Sequence, residues 1–407
     1  MQRRRWKVRD VVELALILGG LILIGSPFFL LGGHFATHPP PQQQSATTAR
    51  PARKKYAPPK KQTLLRREPS WTPREPAYGT LCGVLDAWDP HAPDVPPGYV
   101  DALPRFDAAR PEDRTAAAAY RDAELPFILY NVSALRRATA RWTRAYLRDR
   151  LAKTSYKVEE SVAGRSFVYY AKDERAPAGW TAPQVAVAMT PRELEEALDA
   201  RNRSRLYYAT ISASEGRRQA WIRDDLPFLA PLDKPRPDAV PGDAWWRDAE
   251  GGSDEPLSAH FFMRPGSTRR WKGINCRLGM RGVQQTAHYD GKRNWIAMIA
   301  GAKRYVLQPP RACAALELLG RGHPSERHAS FDWADPAERR RRAGGPFCDA
   351  PAVEVLVRES DLLYLPSYWF HYIVSATRSV QCNARTGLSR KREGWTDIER
   401  CGFGAPD

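Results

Sequence analysis

The sequence predicts a mainly β domain with flanking helices, preceded by a single membrane-spanning helix. From about residue 258 onward, short apolar segments alternate with turn residues, which is the pattern of successive strands. Upstream, residues 133–152 and 190–200 carry helical periodicity. At the start, a basic cluster precedes the apolar stretch 14–33, interrupted only by glycines, Ser26 and Pro27.

That stretch is the first element. "MQRRRWKVRD" places five Lys/Arg ahead of "LALILGGLILIGSPFFLLGG". Twenty helical residues span roughly 30 Å, the thickness of one hydrocarbon core. The run exceeds the roughly 7–15 apolar residues of a cleaved signal peptide, so an uncleaved signal anchor is expected. The basic cluster sets the orientation: residues 1–13 cytoplasmic, and everything after residue 33 lumenal or extracellular, as in a type II membrane protein. Residues 34–77 follow as a Pro-rich basic stalk, with nine prolines in 34–76 and clusters such as "ARKKYAPPKK". Residues 78–123 read as a lead-in segment that packs on the main domain, residues 124–390, and residues 391–407 as a tail.

Charge and cysteines fit that plan. The net charge is +17, yet residues 1–75 hold 14 Lys/Arg against 4 Asp/Glu, and the remaining 332 hold 49 against 42. The basicity belongs to the tail, which argues against a nucleic-acid-binding domain. Six cysteines permit disulfides in an oxidising compartment. "NVS" at Asn131 and "NRS" at Asn202 are N-glycosylation sequons in form.

Within the main domain, "LPFILYNV" reads as a strand. "SALRRATARWTRAYLRDRLA" reads as one helix with Ser133 as N-cap. "SFVYYA" and "RLYYATIS" are strands on either side of the capped helix "TPRELEEALDA". "PAERRRRAGG" is expected as an exposed loop whose arginines are solvated.

The chemistry concentrates in "QQTAHYDGKRNWIAMIAGAKRYVLQPP", residues 284–310. Residues i and i+2 of a strand share a face, so His288 and Asp290 project together. Asn294, Ile296 and Met298 join them if the strand continues. Gly301 breaks the run, and "KRYVLQPP" reads as the return strand of a hairpin. Its alternation turns Lys303 inward, where an ammonium needs an anionic partner. In "DLLYLPSYWFHYIVSATRSVQCNARTG", residues 361–387, a further strand bears His371 and the next carries Asn383. Two histidines and one carboxylate on neighbouring strands of a small barrel form a 2-His-1-carboxylate set, suited to non-haem Fe(II) with open positions.

These segments resemble the JmjC/cupin-like-8 branch of the 2-oxoglutarate oxygenases, which includes the asparaginyl hydroxylase acting on hypoxia-inducible factor. The resemblance covers about residues 124–388, from "PFILYN…RWTRAYLRDRL" onward. It is most specific at "HYDGKRNWIAMIAGAKRYVLQPP" and "DLLYLPSYWFHYIV". It implies a double-stranded β-helix, a jelly-roll barrel flanked by helices. It implies His288, Asp290 and His371 as iron ligands, and Lys303 as partner of the distal carboxylate of the cosubstrate 2-oxoglutarate. Asn294 and Asn383 match positions that touch the cosubstrate. Gln285 stands where related enzymes often carry a threonine hydroxyl. The implied reaction uses O2 and 2-oxoglutarate, releases succinate and carbon dioxide, and hydroxylates a C–H bond.

The expected substrate is a protein or peptide side chain met in the secretory pathway, since a lumenal domain does not meet chromatin. Trp271, Lys272, Arg277 and Arg281, read as a rim, favour acidic or extended peptides. The alternatives are a non-catalytic cupin-barrel binding module and a JmjC-type demethylase.

Overall fold

A computed structural model describes residues 72–89, 94–151, 155–162, 164–168, 177–200, 204–213, 219–230, 244–247, 261–263, 273–387 and 392–403. All belong to the unit Arg66–Asp407. The apolar run 14–33, nearly all of the stalk, Asn202, Trp271 and Lys272 lie outside the described residues. Among the described residues no helix is long and apolar enough to cross a membrane.

In chain order the first elements are β1 (Gly79–Thr80), α1 (Leu81–Asp86), β2 (Arg105–Asp107), α2 (Pro111–Asp122) and β3 (Phe127–Tyr130). Then come α3 (Ser133–Arg141), α4 (Arg144–Leu151), β4 (Tyr156–Ser161), β5 (Ser166–Phe167), β6 (Gln184–Met189), α5 (Pro191–Leu198), β7 (Tyr207–Ala213), α6 (Ala220–Asp225) and α7 (Ala244–Arg247). The barrel strands are β8 (Ile274–Gly279), β9 (Gln284–Tyr289), β10 (Asn294–Ala300), β11 (Ala302–Gln308), β12 (Pro351–Arg358), β13 (Leu362–Leu365), β14 (Phe370–Ser375) and β15 (Ser379–Arg385). Helices α8 (Pro336–Arg341) and α9 (Pro346–Asp349) sit between β11 and β12, and α10 (Arg392–Arg400) follows β15.

The strands form two sheets. The larger runs β2-β3-β13-β10-β15-β8-β7-β4-β6, and the smaller β1-β12-β11-β14-β9-β5. From β8 to β15 each strand lies in the opposite sheet to its predecessor, except that β11 and β12 pair directly. This winding is a jelly roll, as the resemblance implied. It corrects the expected hairpin: β10 and β11 do not pair, and β9 does not run on into β10. The chain instead crosses between sheets at each junction. Gly301 makes the crossing from β10 to β11. Its φ is 75°, and a Cβ there would lie 2.1 Å from the Arg378 carbonyl oxygen, so only glycine fits.

Alternation then sorts the side chains. Tyr305 and Leu307 of β11, Val353, Val355 and Val357 of β12, Leu363 and Leu365 of β13, Ile373 of β14 and Ile296 and Met298 of β10 meet as one apolar cluster. A second cluster lies on the outer face of the larger sheet, where Cys276, Leu278, Trp295, Ala297, Cys382 and Ala384 pack with residues of α3, α4, α5 and α6. A third covers the smaller sheet with α1, α9 and α10.

Three further expectations change. The long helix 133–152 is two helices, α3 and α4, because Trp142 leaves helical geometry with ψ 56° and its indole donates to Asp225 Oδ2 at 2.8 Å. The Thr143 hydroxyl then accepts from the Tyr146 amide and starts α4. Of "SFVYYA", Ser166–Phe167 is strand and Val168 is not, while residues 169–171 lie outside the described residues. The arginine run is no loop. It forms α8, capped by Asp335, and Arg339 is buried against Asp86 and the carbonyls of Trp333 and Ala334. The helix "TPRELEEAL" behaves as read, with a reciprocal capping box between Thr190 and Glu193.

All six cysteines pair: Cys82–Cys348, Cys276–Cys382 and Cys313–Cys401. The sequon residue Asn131 is half-buried with φ 58°, and its side-chain amide donates to Asp107 Oδ1 at 3.0 Å. A glycan there would have to leave along its other N–H direction.

Candidate metal centre

β9 and β14 are antiparallel neighbours, and His288 pairs with His371 in register. Residues facing each other across such a pair project to the same side, so both imidazoles enter the barrel from the smaller sheet. Asp290 follows β9 by one residue, and its carbonyl is held by the Tyr368 amide at 2.8 Å. One donor atom each from His288, Asp290 and His371 falls within 4.8 Å of the other two. The two rings lie 4.2 Å apart at their centroids.

Backbone carbonyls fix both rings. His288 Nδ1 lies 2.8 Å from the Thr286 carbonyl, and His371 Nδ1 lies 3.0 Å from that of Trp369. Each Nδ1 therefore carries the proton, and each Nε2 lone pair is left for a cation. Burial holds both imidazoles neutral, with pKa values lowered from the ordinary range. For Asp290, burial opposes ionisation, but the neighbouring charges, Arg385 foremost, outweigh it and hold the carboxyl well below its usual range. Arg385 grips both oxygens, with Nη2 to Oδ1 at 2.6 Å and Nε to Oδ2 at 3.2 Å.

A directed chain of amides leads away from this carboxylate. Asn294 Nδ2 donates to Asp290 Oδ2 at 3.3 Å, and Asn383 Nδ2 donates to Asn294 Oδ1 at 2.8 Å. Arg277 in turn donates to Asn383 Oδ1. The chain begins at a group that can only donate and ends at one that can only accept, so both amide orientations are determined. Asn294 and Asn383 are brought together on facing strands, as β10 and β15 pair antiparallel.

Lys303 points inward, as read, and is completely buried. Its Nζ has no hydrogen-bond or ion-pair partner among the described residues and lies 5.5 Å from the centroid of the Tyr208 ring. Burial, with the Arg277 charge adding to it, lowers its pKa to about 7. Gln285 is half-buried and donates to the Tyr208 hydroxyl, whose pKa burial raises to about 12. Beside Lys303 on β11, the Tyr305 hydroxyl donates to Gln381 at 2.8 Å.

Of the four residues expected at a rim, Trp271 and Lys272 lie outside the described residues, and Arg281 pairs with Asp94 at 2.6 Å. Arg277 is not a rim residue. It alternates with Cys276 and Leu278, which pack outward, so it faces the interior. The same alternation along "QCNAR" places Arg385 beside Asn383. Tyr208 sits on the inner face of β7 and was not singled out by any motif. His328 was not either. Ala329 hydrogen-bonds to the free edge of β9, His328 bridges to His288, and the two rings stack at 4.7 Å and 17°. It comes from the long insertion between β11 and β12, where no spacing points to it.

Residues 113–385, about two thirds of the chain, match the cupin-like domain family. The chain belongs to that family. The cupin-like domain is also similar, over shorter stretches, to curated proteins. The tRNA wybutosine-synthesizing protein 5 of Gallus gallus is 28% identical over 107 residues, 26% of this chain and 31% of that protein. Its Homo sapiens counterpart is 30% identical over 107 residues, again 26% and 31%. The Jumonji C domain-containing protein 5 of Drosophila melanogaster is 29% identical over 106 residues, 26% of this chain and 25% of that protein. The matched stretch spans only about a quarter to a third of these relatives. A JmjC-type cupin barrel with a His-Asp-His group able to hold a metal is thus common ground between family and geometry.

Proposed function

We propose that the cupin-like domain is an Fe(II)- and 2-oxoglutarate-dependent dioxygenase that hydroxylates a C–H bond of a protein side chain. The observation that carries this reading is the pairing of two features in one barrel interior. A convergent His288-Asp290-His371 donor set and a buried lysine without an anion enter it from neighbouring strands of the smaller sheet. The donors suit a divalent transition metal, with two neutral imidazoles and one ionised carboxylate, a set that by itself fills only three coordination positions. Lys303 suits the far end of a dicarboxylate, because an unpaired ammonium in a dry interior is costly until an anion meets it.

Bound there, Fe(II) supplies the chemistry that couples oxidation of 2-oxoglutarate by O2 to hydroxylation, with succinate and carbon dioxide released. The chain's own residues bind and orient. The Thr286 and Trp369 carbonyls aim the two Nε2 atoms, Arg385 and Asn294 hold the Asp290 carboxylate, and the walls keep water from the reacting groups. The intact donor set and the unmet Lys303 charge speak against a barrel kept only as a binding module.

We place the domain on the lumenal side of a type II anchor. Pairing of all six cysteines supports an oxidising compartment. Protease added to sealed microsomes is expected to spare residues 78–407, and digestion without detergent would overturn the orientation. For the activity, the full chain is expected to convert 2-oxoglutarate to succinate only when Fe(II) is present. His288→Ala and Asp290→Ala are expected to abolish that turnover while keeping the melting transition. Equal turnover with and without Fe(II), or retained in both variants, would refute the proposal.

A further inference from the structure

The interior holds a second cation that the proposed chemistry does not use. Arg277 sits on the inner face of β8 and donates a hydrogen bond to the neutral Asn383. It makes no ion pair among the described residues. Its surroundings tie it to Lys303. On β15 its register partner is Gln381, which receives the Tyr305 hydroxyl, and Tyr305 lies two residues from Lys303 on the same face of β11. On its other side β8 pairs with β7, and Tyr208, over whose ring Lys303 lies, is partner to Gly279, two residues from Arg277. The same two neighbours therefore bracket both cations. Through Asn383 and Asn294, Arg277 also connects to Asp290.

Two unpaired cations beside one another repel, and burial strengthens the repulsion. Glu159, whose position on β4 pairs with Tyr208, is an acidic group facing them from the larger sheet; burial raises its carboxyl against the pull of Lys157 and Arg277, and it pairs with Lys157 at 3.8 Å. The arrangement becomes favourable when one anionic group meets both. Resting on the reading above, we infer that Arg277 is a second cationic anchor for the carboxylate that Lys303 receives, and that the pair selects a 2-oxo dicarboxylate over a 2-oxo monocarboxylate. A guanidinium offers a planar fork to a carboxylate while the ammonium adds a point charge, so the two divide the anion's oxygens between them. Arg277 is then a specificity-determining residue, and its hydrogen bond to Asn383 keeps the fork aimed inward.

The experiment measures binding rather than turnover. Calorimetry on the full chain loaded with Mn(II) compares 2-oxoglutarate with 2-oxopentanoate, which has the same carbon length and no distal carboxylate. Arg277→Gln keeps a donor for Asn383 and removes the charge. It is expected to weaken 2-oxoglutarate binding about tenfold or more, to leave 2-oxopentanoate binding unchanged, and to leave Mn(II) affinity unchanged. Arg277→Lys is expected to recover most of the loss. Unchanged 2-oxoglutarate binding in Arg277→Gln would overturn the inference. So would an equal loss for both acids, since Arg277 would then act only by holding Asn383. If that happens while Lys303→Met still loses 2-oxoglutarate, the functional reading stands and this inference falls alone. If the unsubstituted chain binds neither acid, both fall.

Discussion

The two sides of the barrel interior follow opposite rules. Toward β12 and β13 the lumen is lined by Val353, Val355, Val357, Leu363 and Leu365, which satisfy one another by contact and need nothing further. The polar side is formed by His288, Asp290, His371, Lys303, Arg277, Asn294 and Asn383, of which Lys303 and Asn294 stand in register with Val357 and Leu365. That side is orderly, with every ring and amide aimed, yet its cations outnumber its carboxylates. The same strands build both sides. Met298 and Asn294 lie on one face of β10, as do Leu307 and Lys303 on one face of β11. The apolar side therefore sets stability and the polar side sets ligand affinity, and substitutions should separate the two.

The sharpest separation is Asp290→Ala, expected to abolish metal binding and succinate formation while shifting the melting temperature little. A metal titration beside a thermal melt reads both; a collapse of the fold instead would erase the distinction between the sides. Lys303→Met comes next. Removing one charge from a buried pair costs about 3–5 kcal/mol, so 2-oxoglutarate affinity should drop by at least about two orders of magnitude. The ligand-free protein should melt higher, because a buried unpaired charge has gone. Leu363→Ala on the apolar side should do the reverse. It should destabilise the fold by about 2–5 kcal/mol in denaturant titration and leave 2-oxoglutarate affinity within about twofold in the folded protein.

Unlike these substitutions, a change of pH acts through one group without altering the sequence. In the ligand-free fold Lys303 titrates at about 7, below an unfolded lysine. The unfolded chain thus binds the extra proton from about pH 7 up to about 10.5, and the contribution of this group to stability rises across that window. For ligand the sign is opposite. An anion holds the ammonium charged, so binding above pH 7 takes up a proton and affinity falls by up to about tenfold per pH unit. Calorimetry in buffers of different ionisation enthalpy measures that uptake. Proton release, or none, would mean that Lys303 does not meet the anion.

How much of this the sequence contained depended on range. His288, Asp290, His371 and Lys303 were legible because the motifs that carry them, H-x-D, the Lys303 segment and the distal W-x-H, are local in sequence. The capping box at Thr190 was legible for the same reason. The sheet crossings were not: a strand, a glycine and a strand read as a hairpin, whereas the close approach of the Arg378 carbonyl to Gly301 is a tertiary fact. The break at Trp142 depends on Asp225, 83 residues away. His328 reaches the centre by adding to the edge of β9 from an insertion that carries no motif. Arg277 lies inside rather than on the expected rim, a direction that its alternation with the outward-packed Cys276 and Leu278 carries in the sequence itself.

The three disulfides have a consequence for the molecule as a covalent object. They close the intervals 82–348, 276–382 and 313–401, and each interval overlaps the next. Any single break in the main chain between Cys82 and Cys401 therefore falls inside at least one closed ring. A protease that nicks this region once releases no fragment. The nicked protein runs at full mass on a gel until a reductant is added, and only then separates into two pieces. Within the compartment where these bridges persist, one-time clipping leaves the strands bearing His288 and His371 tethered to each other.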